Sequence, residues 1–332
     1  MPIKYFMISN RILQAGNLEN TRGPLSFWLT ESDNVSTLAS WTPVDADSFK
    51  EAVLRATESF PVLPPRQSED QKHVTLFIHG YNNTWQSAAL HYKSIVSNLF
   101  TGDSSMGICI LFTWPSDGAY LGYYPDQLQA RETAPDLSAV LNEFYDWLLA
   151  KQKAAMRHPD DACRAKTSII AHSMGNYVLQ KAMQLTWTRQ NQPLLVSLVN
   201  QLLMVAADVD NDLFKSIQGN NNTDGDAIAN LTYRVTALYT GRDPVLGLSA
   251  GLKHFGKRRL GRSGIDRTCP IPDNIWDVDC SALIPANAID IHSEYFESTS
   301  PETVELMREV LKGVDRKVLT QEVPPAPPVV VA

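Results

Sequence analysis

The stretch Thr167–Lys181, TSIIAHSMGNYVLQK, constrains the fold more than any other part of this chain. Ser168-Ile169-Ile170 reads as a short apolar strand, Ala171-His172-Ser173-Met174-Gly175 as a sharp corner, and a helix is predicted from Asn176. A serine at the apex of strand, tight turn and helix is a nucleophile elbow. Such a serine sits in a strained backbone conformation that lifts its Oγ clear of the sheet, so the residues two positions away must be small. Here they are Ala171 and Gly175, a G-x-S-x-G pattern with a methyl group added at its first place. The following helix aims its N-terminal amides at the serine, where they can meet developing negative charge. A chance serine in an ordinary strand-to-helix turn is the competing explanation, and the surrounding sequence decides between the two.

Those surroundings repeat one pattern. Val74 to Ile78 is an almost unbroken apolar run, as in a strand buried on both faces, and it ends in His79-Gly80-Tyr81-Asn82. Thr84 is a plausible N-cap for a helix whose apolar positions, Trp85, Ala88, Ala89, Tyr92, Ile95, Val96 and Leu99, recur at helical spacing. Ile108 to Thr113 is a second buried strand and ends in Trp114-Pro115; an aromatic loop, Gly118 to Asp126, and a long helix near Gln127–Met156, with a break at Pro135, follow. After the elbow, Leu202–Ala206 leads into Asp208, Tyr233–Tyr239 leads into Asp243, Ile275–Val278 is the last strand, and Pro301–Leu319 is a closing helix capped by Ser300. Apolar strands alternating with helices predict a doubly wound, mostly parallel sheet flanked by helices. Chemistry in such sheets gathers beyond the carboxyl ends of the strands, where the polar motifs of this chain fall.

Residues 1–72 carry a weaker signal: strands at Lys4–Ser9 and Leu25–Thr30, a helix at Asp47–Ser59, then the prolines 61, 64 and 65. They read as an N-terminal extension packed on a core at 73–320, with 321–332 as a Pro-rich tail. A chain of 332 residues buries about three quarters of its unfolded surface, enough for one large α/β core. A net charge of −7 argues against nucleic-acid binding. The four cysteines lack metal-type spacing, and no apolar run has the length of a signal core or a bilayer span. The expectation is a soluble cytoplasmic protein with reduced thiols and neither metal nor cofactor.

A serine nucleophile needs a base, a group that orients the base, and donors for an oxyanion. In elbow-bearing sheets the partners follow the serine in the order acid, then histidine. Only His254 and His292 lie downstream; His254 sits in the basic run KHFGKRRLGR, whose charges oppose an imidazolium, so His292 is preferred. The acid is Asp243, in the turn GRDP after the strand two beyond the elbow, or alternatively Asp208 or Asp210, for which helix capping is the competing role. The oxyanion donors are the amides of Met174 and Tyr81, with Asn82 holding the Tyr81 loop and His79 and His172 packing beneath the site. Tyr120, Tyr123 and Tyr124 are candidates for walling a substrate pocket, with packing against the long helix the other possibility. The basic run reads as a solvated loop, with an anionic ligand as its alternative.

The motifs HGYNN, FTWPSDG followed by LGYYPD, the stretch around Arg131 and Pro135, AHSMGN, AADVDNDLF, YTGRDPVLGLS, RLGRSG and HSEYF stand in this order between Val74 and Phe296. Together they resemble the bacterial α/β-hydrolase family catalogued as a domain of unknown function and grouped with lipases and esterases. The resemblance implies an α/β-hydrolase fold, the triad Ser173, Asp243 and His292, and a small carboxylic ester as substrate. Alanine in place of the first glycine of the elbow is common to that family. No long apolar insertion resembles a lipase lid, which favours soluble esters. A thioesterase, amidase or acyltransferase would use the same machinery, and a binding protein on an inactive hydrolase fold would lack a triad member. The sequence leaves the oligomeric state open.

Overall fold

The computed structural model describes residues 4–61, 63, 70–116, 123–157, 165–190, 197–215, 225–254, 256–268 and 270–322. Its nine strands are β1 (Tyr5–Gln14), β2 (Asn17–Thr30), β3 (Thr42–Val44), β4 (His73–Ile78), β5 (Gly107–Thr113), β6 (Lys166–His172), β7 (Val199–Val205), β8 (Thr232–Tyr239) and β9 (Ile275–Asp279), joined in one sheet in the order β3-β2-β1-β5-β4-β6-β7-β8-β9. The strands β1 and β4 to β9 run parallel, and β2 runs against its neighbours β1 and β3. The chain steps outward from β4 to β5 and then crosses back to the other side of β4 as β6. This reversal creates a crevice beyond the carboxyl ends of β4 and β6, the position that open α/β sheets use for ligands.

The two-residue period of the strands sorts the core into two layers. Phe6, Ile8, Leu76, Ile78, Ile169, Ala171, Leu202 and Met204 face the helices α1 (Ala46–Glu58), α3 (Tyr123–Arg157), α4 (Gly175–Gln190) and α5 (Asp226–Leu231). Their alternates Tyr5, Met7, Phe77, Ile170, Leu203 and Val205 face α2 (Trp85–Leu99), α6 (Pro244–Leu248), α8 (Pro301–Lys312) and α9 (Arg316–Glu322). Thr84 caps α2 as expected, its Oγ1 accepting from Ser87 N at 3.2 Å. A four-residue helix, α7 (Leu260–Ser263), sits at the end of β8.

Several elements depart from the sequence reading. The long helix starts at Tyr123, inside the expected loop, and runs unbroken through Pro135. The hydrogen bond that proline removes is outweighed by the buried face of Ala130, Ala134, Leu137, Val140 and Leu141. The closing helix is two helices, because Gly313 takes a left-handed conformation (φ 88°) and donates to Glu309 O and Val310 O. Ser300 does not cap α8 through its side chain; its hydroxyl donates to Glu294 Oε1 at 3.1 Å. Residues 211–214 make turns, not the start of a helix for Asp208 or Asp210 to cap.

The leading strands are part of the central sheet. β1 lies parallel to β5 through Phe6–Ile110 to Ser9–Thr113, and Asn10 and Arg22 fasten the β1–β2 ribbon to Asp136 of α3. No helix among the described residues is long and apolar enough to cross a membrane. The Pro-rich segment 323–332, Cys163 and Cys269 lie outside the described residues, whereas Cys109 and Cys280 are buried free thiols whose ionisation burial pushes far up.

Candidate active site

Ser173 follows directly on β6 with φ 52°, a left-handed conformation that costs a side-chain-bearing residue about 1–3 kcal/mol. The strain is held by three backbone bonds: Ser173 N to Val205 O (3.0 Å), and Ser173 O accepting from Asn176 N and Asp208 N (3.1 Å each). Two glycines let the end of β4 touch this corner. A Cβ on Gly80 would stand 2.7 Å from Ser173 Cβ, and one on Gly175 would stand 2.5 Å from His79 O. The Met174 amide has no hydrogen-bond partner among the described residues.

His292 lies in the segment after β9, and its Nδ1 stands 2.7 Å from Asp243 Oδ2. The histidine is 8% exposed and the aspartate fully buried. Burial opposes a charge on His292, but the carboxylate and hydrogen bond of Asp243, with Asp290 and Asp208 beyond, outweigh it and raise the imidazole above its ordinary value. A proton on Nδ1, facing the carboxylate, leaves Nε2 with a lone pair. The other carboxylate oxygen, Asp243 Oδ1, accepts from Leu246 N at 2.9 Å and caps α6. Capping, the competing role for Asp208 and Asp210, is seen at Asp243 instead, whose two carboxylate oxygens separately meet His292 and the start of α6.

His172 ties this loop to the elbow. Its Nε2 donates to the carbonyl of His292 at 2.9 Å, and the two rings lie 4.8 Å apart. Burial, with the nearby His292, drives the His172 imidazole well below its usual range, so it is neutral with its proton on Nε2. The residue before Ser173 thus holds the backbone of His292. His79 is also neutral, held at about 3 by burial and the charge of Arg11, and it stacks on Trp114 with ring centroids 5.4 Å apart. Its Nε2 accepts from Trp114 N (3.1 Å) and its Nδ1 donates to Gly80 O (2.8 Å).

The residue that holds the Tyr81 loop is Asn83, not Asn82. Asn83 Nδ2 donates to Gly80 O (3.2 Å) and Tyr81 O (2.9 Å). Gly80 O and the Tyr81 N–H belong to one trans peptide and point in opposite directions. By gripping the carbonyl, His79 and Asn83 set the direction of the amide. Asn82 instead supplies the bend, with φ 59°. In the sequence the two asparagines are indistinguishable; only the turn separates a bent residue from one with its side chain folded back.

Asp208 has another partner. It forms a buried ion pair with Arg259 Nε at 2.7 Å and accepts from Ser249 Oγ at 2.9 Å. Asp210 takes Lys257 at 2.9 Å and also binds Arg259 Nη1. The basic run is consequently not a uniformly solvated loop: Arg259 is buried, Arg262 donates to the Asp243 carbonyl, and His254 directly follows a π-helical turn, Ser249–Lys253, beyond α6. Tyr120 lies outside the described residues. Tyr123 and Tyr124 begin α3, but their side chains lie outside the described set. An apolar cavity of about 370 Å³ between α1, α3 and the β1–β2 ribbon is lined by Phe27, Phe49, Phe144 and Trp147 and by no residue of the elbow.

Among solved structures, an esterase of Pyrobaculum calidifontis matches 73% of this chain and 76% of its own at 11% identity, with a TM-score of 0.37. Lipase B of Aspergillus fumigatus matches 83% of this chain and 62% of its own at 9% identity and TM-score 0.40. A thermostable esterase of Pseudomonas putida matches 81% and 90% at 13% identity and TM-score 0.33. No curated protein matches the sequence. At residues 63–270, a span that holds the elbow and Asp243 and ends before His292, the sequence matches the model of one family. With a doubly wound sheet, an elbow serine in left-handed conformation and that match over most of its length, the chain belongs to the family described as alpha/beta hydrolase of unknown function (DUF900).

Proposed function

We propose that the protein hydrolyses carboxylic esters through a Ser173–His292–Asp243 triad and an acyl-enzyme intermediate. The observation that carries this reading is the buried contact of 2.7 Å between His292 Nδ1 and Asp243 Oδ2, in a loop that His172 tethers to the nucleophile corner. Ser173 Oγ attacks the carbonyl carbon as His292 Nε2 takes its proton. The imidazolium so formed is stabilised by the carboxylate of Asp243. The amides of Met174 and Tyr81 receive the oxyanion; the unpartnered Met174 N–H and the gripped Gly80 carbonyl support that role. Collapse of the tetrahedral species expels the alcohol, which takes the proton from His292. Water, deprotonated by the same nitrogen, then releases the acid and restores Ser173.

The test is a panel of p-nitrophenyl esters of rising acyl length together with labelling by a fluorophosphonate. Wild type is expected to cleave the shorter esters and to take one label. Ser173→Ala, with its fold intact by circular dichroism, is expected to lose both. Undiminished labelling of the alanine variant would remove Ser173 from the mechanism.

A further inference from the structure

Arg11 stands in β1, outside the segment matched by the family model, yet its side chain ends behind the Tyr81 loop. The pairing of β1 with β2 slips on both sides of Arg11, and such irregularities re-aim a side chain. Arg11 as a whole is 1% exposed. Its Nη2 donates to Asn83 O at 2.8 Å, its Nε to Thr113 Oγ1 at 3.0 Å, and its Nη1 to Asn20 Oδ1. Thr113 Oγ1 in turn lies 3.2 Å from His79 Nε2. Across the loop stands the buried Asp126 of α3, whose Oδ2 accepts from Ser116 Oγ at 2.8 Å and from Asn82 N at 3.4 Å, while Ser116 Oγ accepts from Asn83 N at 3.2 Å. The strained Asn82–Asn83 backbone is therefore clamped between a buried cation and a buried anion. Burial lowers Arg11 to about 9 against the pull of Asp126 and Glu19, so it remains charged at neutral pH.

A buried charge is expensive, and an apolar side chain of similar volume would brace a strand at lower cost. A guanidinium adds several donors in fixed directions, and here they reach the carbonyl of Asn83 and the hydroxyl that abuts His79. We propose that Arg11 is a positioning residue for the oxyanion loop, so that the N-terminal strand completes the active site. This role rests on the esterase reading: Asn83 and His79 grip the Gly80 carbonyl, and Arg11 holds the backbone of the one and the threonine beside the other. Loss of Arg11 lets the Gly80–Tyr81 peptide turn, which weakens stabilisation of the transition state without changing how the ground state binds.

The experiment compares wild type, Arg11→Met and Arg11→Lys on one activated ester, with thermal melts to establish folding. Inhibition by a trifluoromethyl ketone, which captures Ser173 as an oxyanion, is measured beside inhibition by the product carboxylate. For Arg11→Met the expectation is a kcat about 100-fold lower with KM within about threefold. Affinity for the ketone falls by the same factor and that for the carboxylate holds. Arg11→Lys, which cannot reach all three acceptors of the guanidinium at once, is expected to lose about tenfold. A folded Arg11→Met with unchanged kcat overturns the proposal, as does a loss of kcat without loss of ketone affinity. Should Arg11→Met fail to fold, Arg11→Lys decides, and full activity in it overturns the proposal. A wild type that neither cleaves esters nor takes a fluorophosphonate label defeats the esterase reading and this role with it; an active wild type with unaffected variants defeats the role alone.

Discussion

Two buried carboxylates end neighbouring strands of one sheet, and their partners make them different groups. Asp208, after β7, faces the guanidinium of Arg259; Asp243, after β8, faces the imidazole of His292. Both are almost wholly shielded from water, at 4% and 0% exposure. The guanidinium holds both the carboxylate and the carbonyl of Asp208 with donors in fixed directions, so the first pair is a brace that pins Arg259 to the end of β7. Histidine exchanges a proton near neutrality, so the second pair can take up and return one. Burial and a place at a strand end are common to both. The partner decides which can serve proton transfer.

The comparison can be broken most severely at the histidine. His292→Ala is expected to lower kcat by about 10⁶, close to the loss in Ser173→Ala, because triad members act as a unit. Stopped-flow or burst assays on an activated ester check this, and a comparable loss in His254→Ala would move the base to the basic run. Next comes the carboxylate. Asp243→Asn is expected to cost about 10⁴ in kcat with little change in melting temperature. The amide oxygen can still cap α6, but it neither selects the Nδ1 tautomer reliably nor balances the imidazolium.

Asp208→Ala should give the converse result. Removing one partner of a buried ion pair typically costs about 3–5 kcal/mol, read from denaturant midpoints, while turnover per folded molecule should stay within about tenfold. A large loss of turnover in a folded Asp208→Ala, with Asp243→Asn near normal, would exchange the two assignments. The smallest effect is the most diagnostic. In the proposed mechanism His292 must be neutral to accept the Ser173 proton, and Asp243 holds it above its ordinary value of 6.5, so activity should rise with pH along a limb lying above that value. In Asp243→Asn the largest raising influence is gone and only Asp290 and Asp208 remain to oppose burial, so the residual limb should move to lower pH. A limb that does not move in that direction would separate the measured titration from His292.

Much of this protein was legible along the chain because strongly periodic segments declare themselves locally. The runs at Val74–Ile78, Ile108–Thr113 and Tyr233–Tyr239 became parallel strands within a residue of their expected bounds, and Thr84 capped the helix it preceded. The elbow was readable for the same reason: the steric demands of a left-handed serine fall on residues two positions away, so they are written in adjacent letters. Helix ends were less legible at Pro135 and Gly313. A proline inside a helix is tolerated or not according to what its neighbours bury, and that is a tertiary matter.

Chain order and strand position singled out Ser173, His292 and a short choice of acids, and there local information stopped. Which aspartate meets the histidine depends on Arg259, an arginine 51 positions along that fills the space beside Asp208. Which asparagine grips the Gly80 carbonyl depends on a turn geometry that two identical letters cannot express. That Arg11 lies behind the same loop required β1 to pair with β5, a contact between residues about a hundred positions apart. Sequence by itself determined the elements, the elbow and the residue types available for chemistry, because each follows from sterics and hydrophobic period over a few residues. Tertiary structure alone decided the pairings among buried charges, because a charge removed from water takes whichever partner the fold brings within reach.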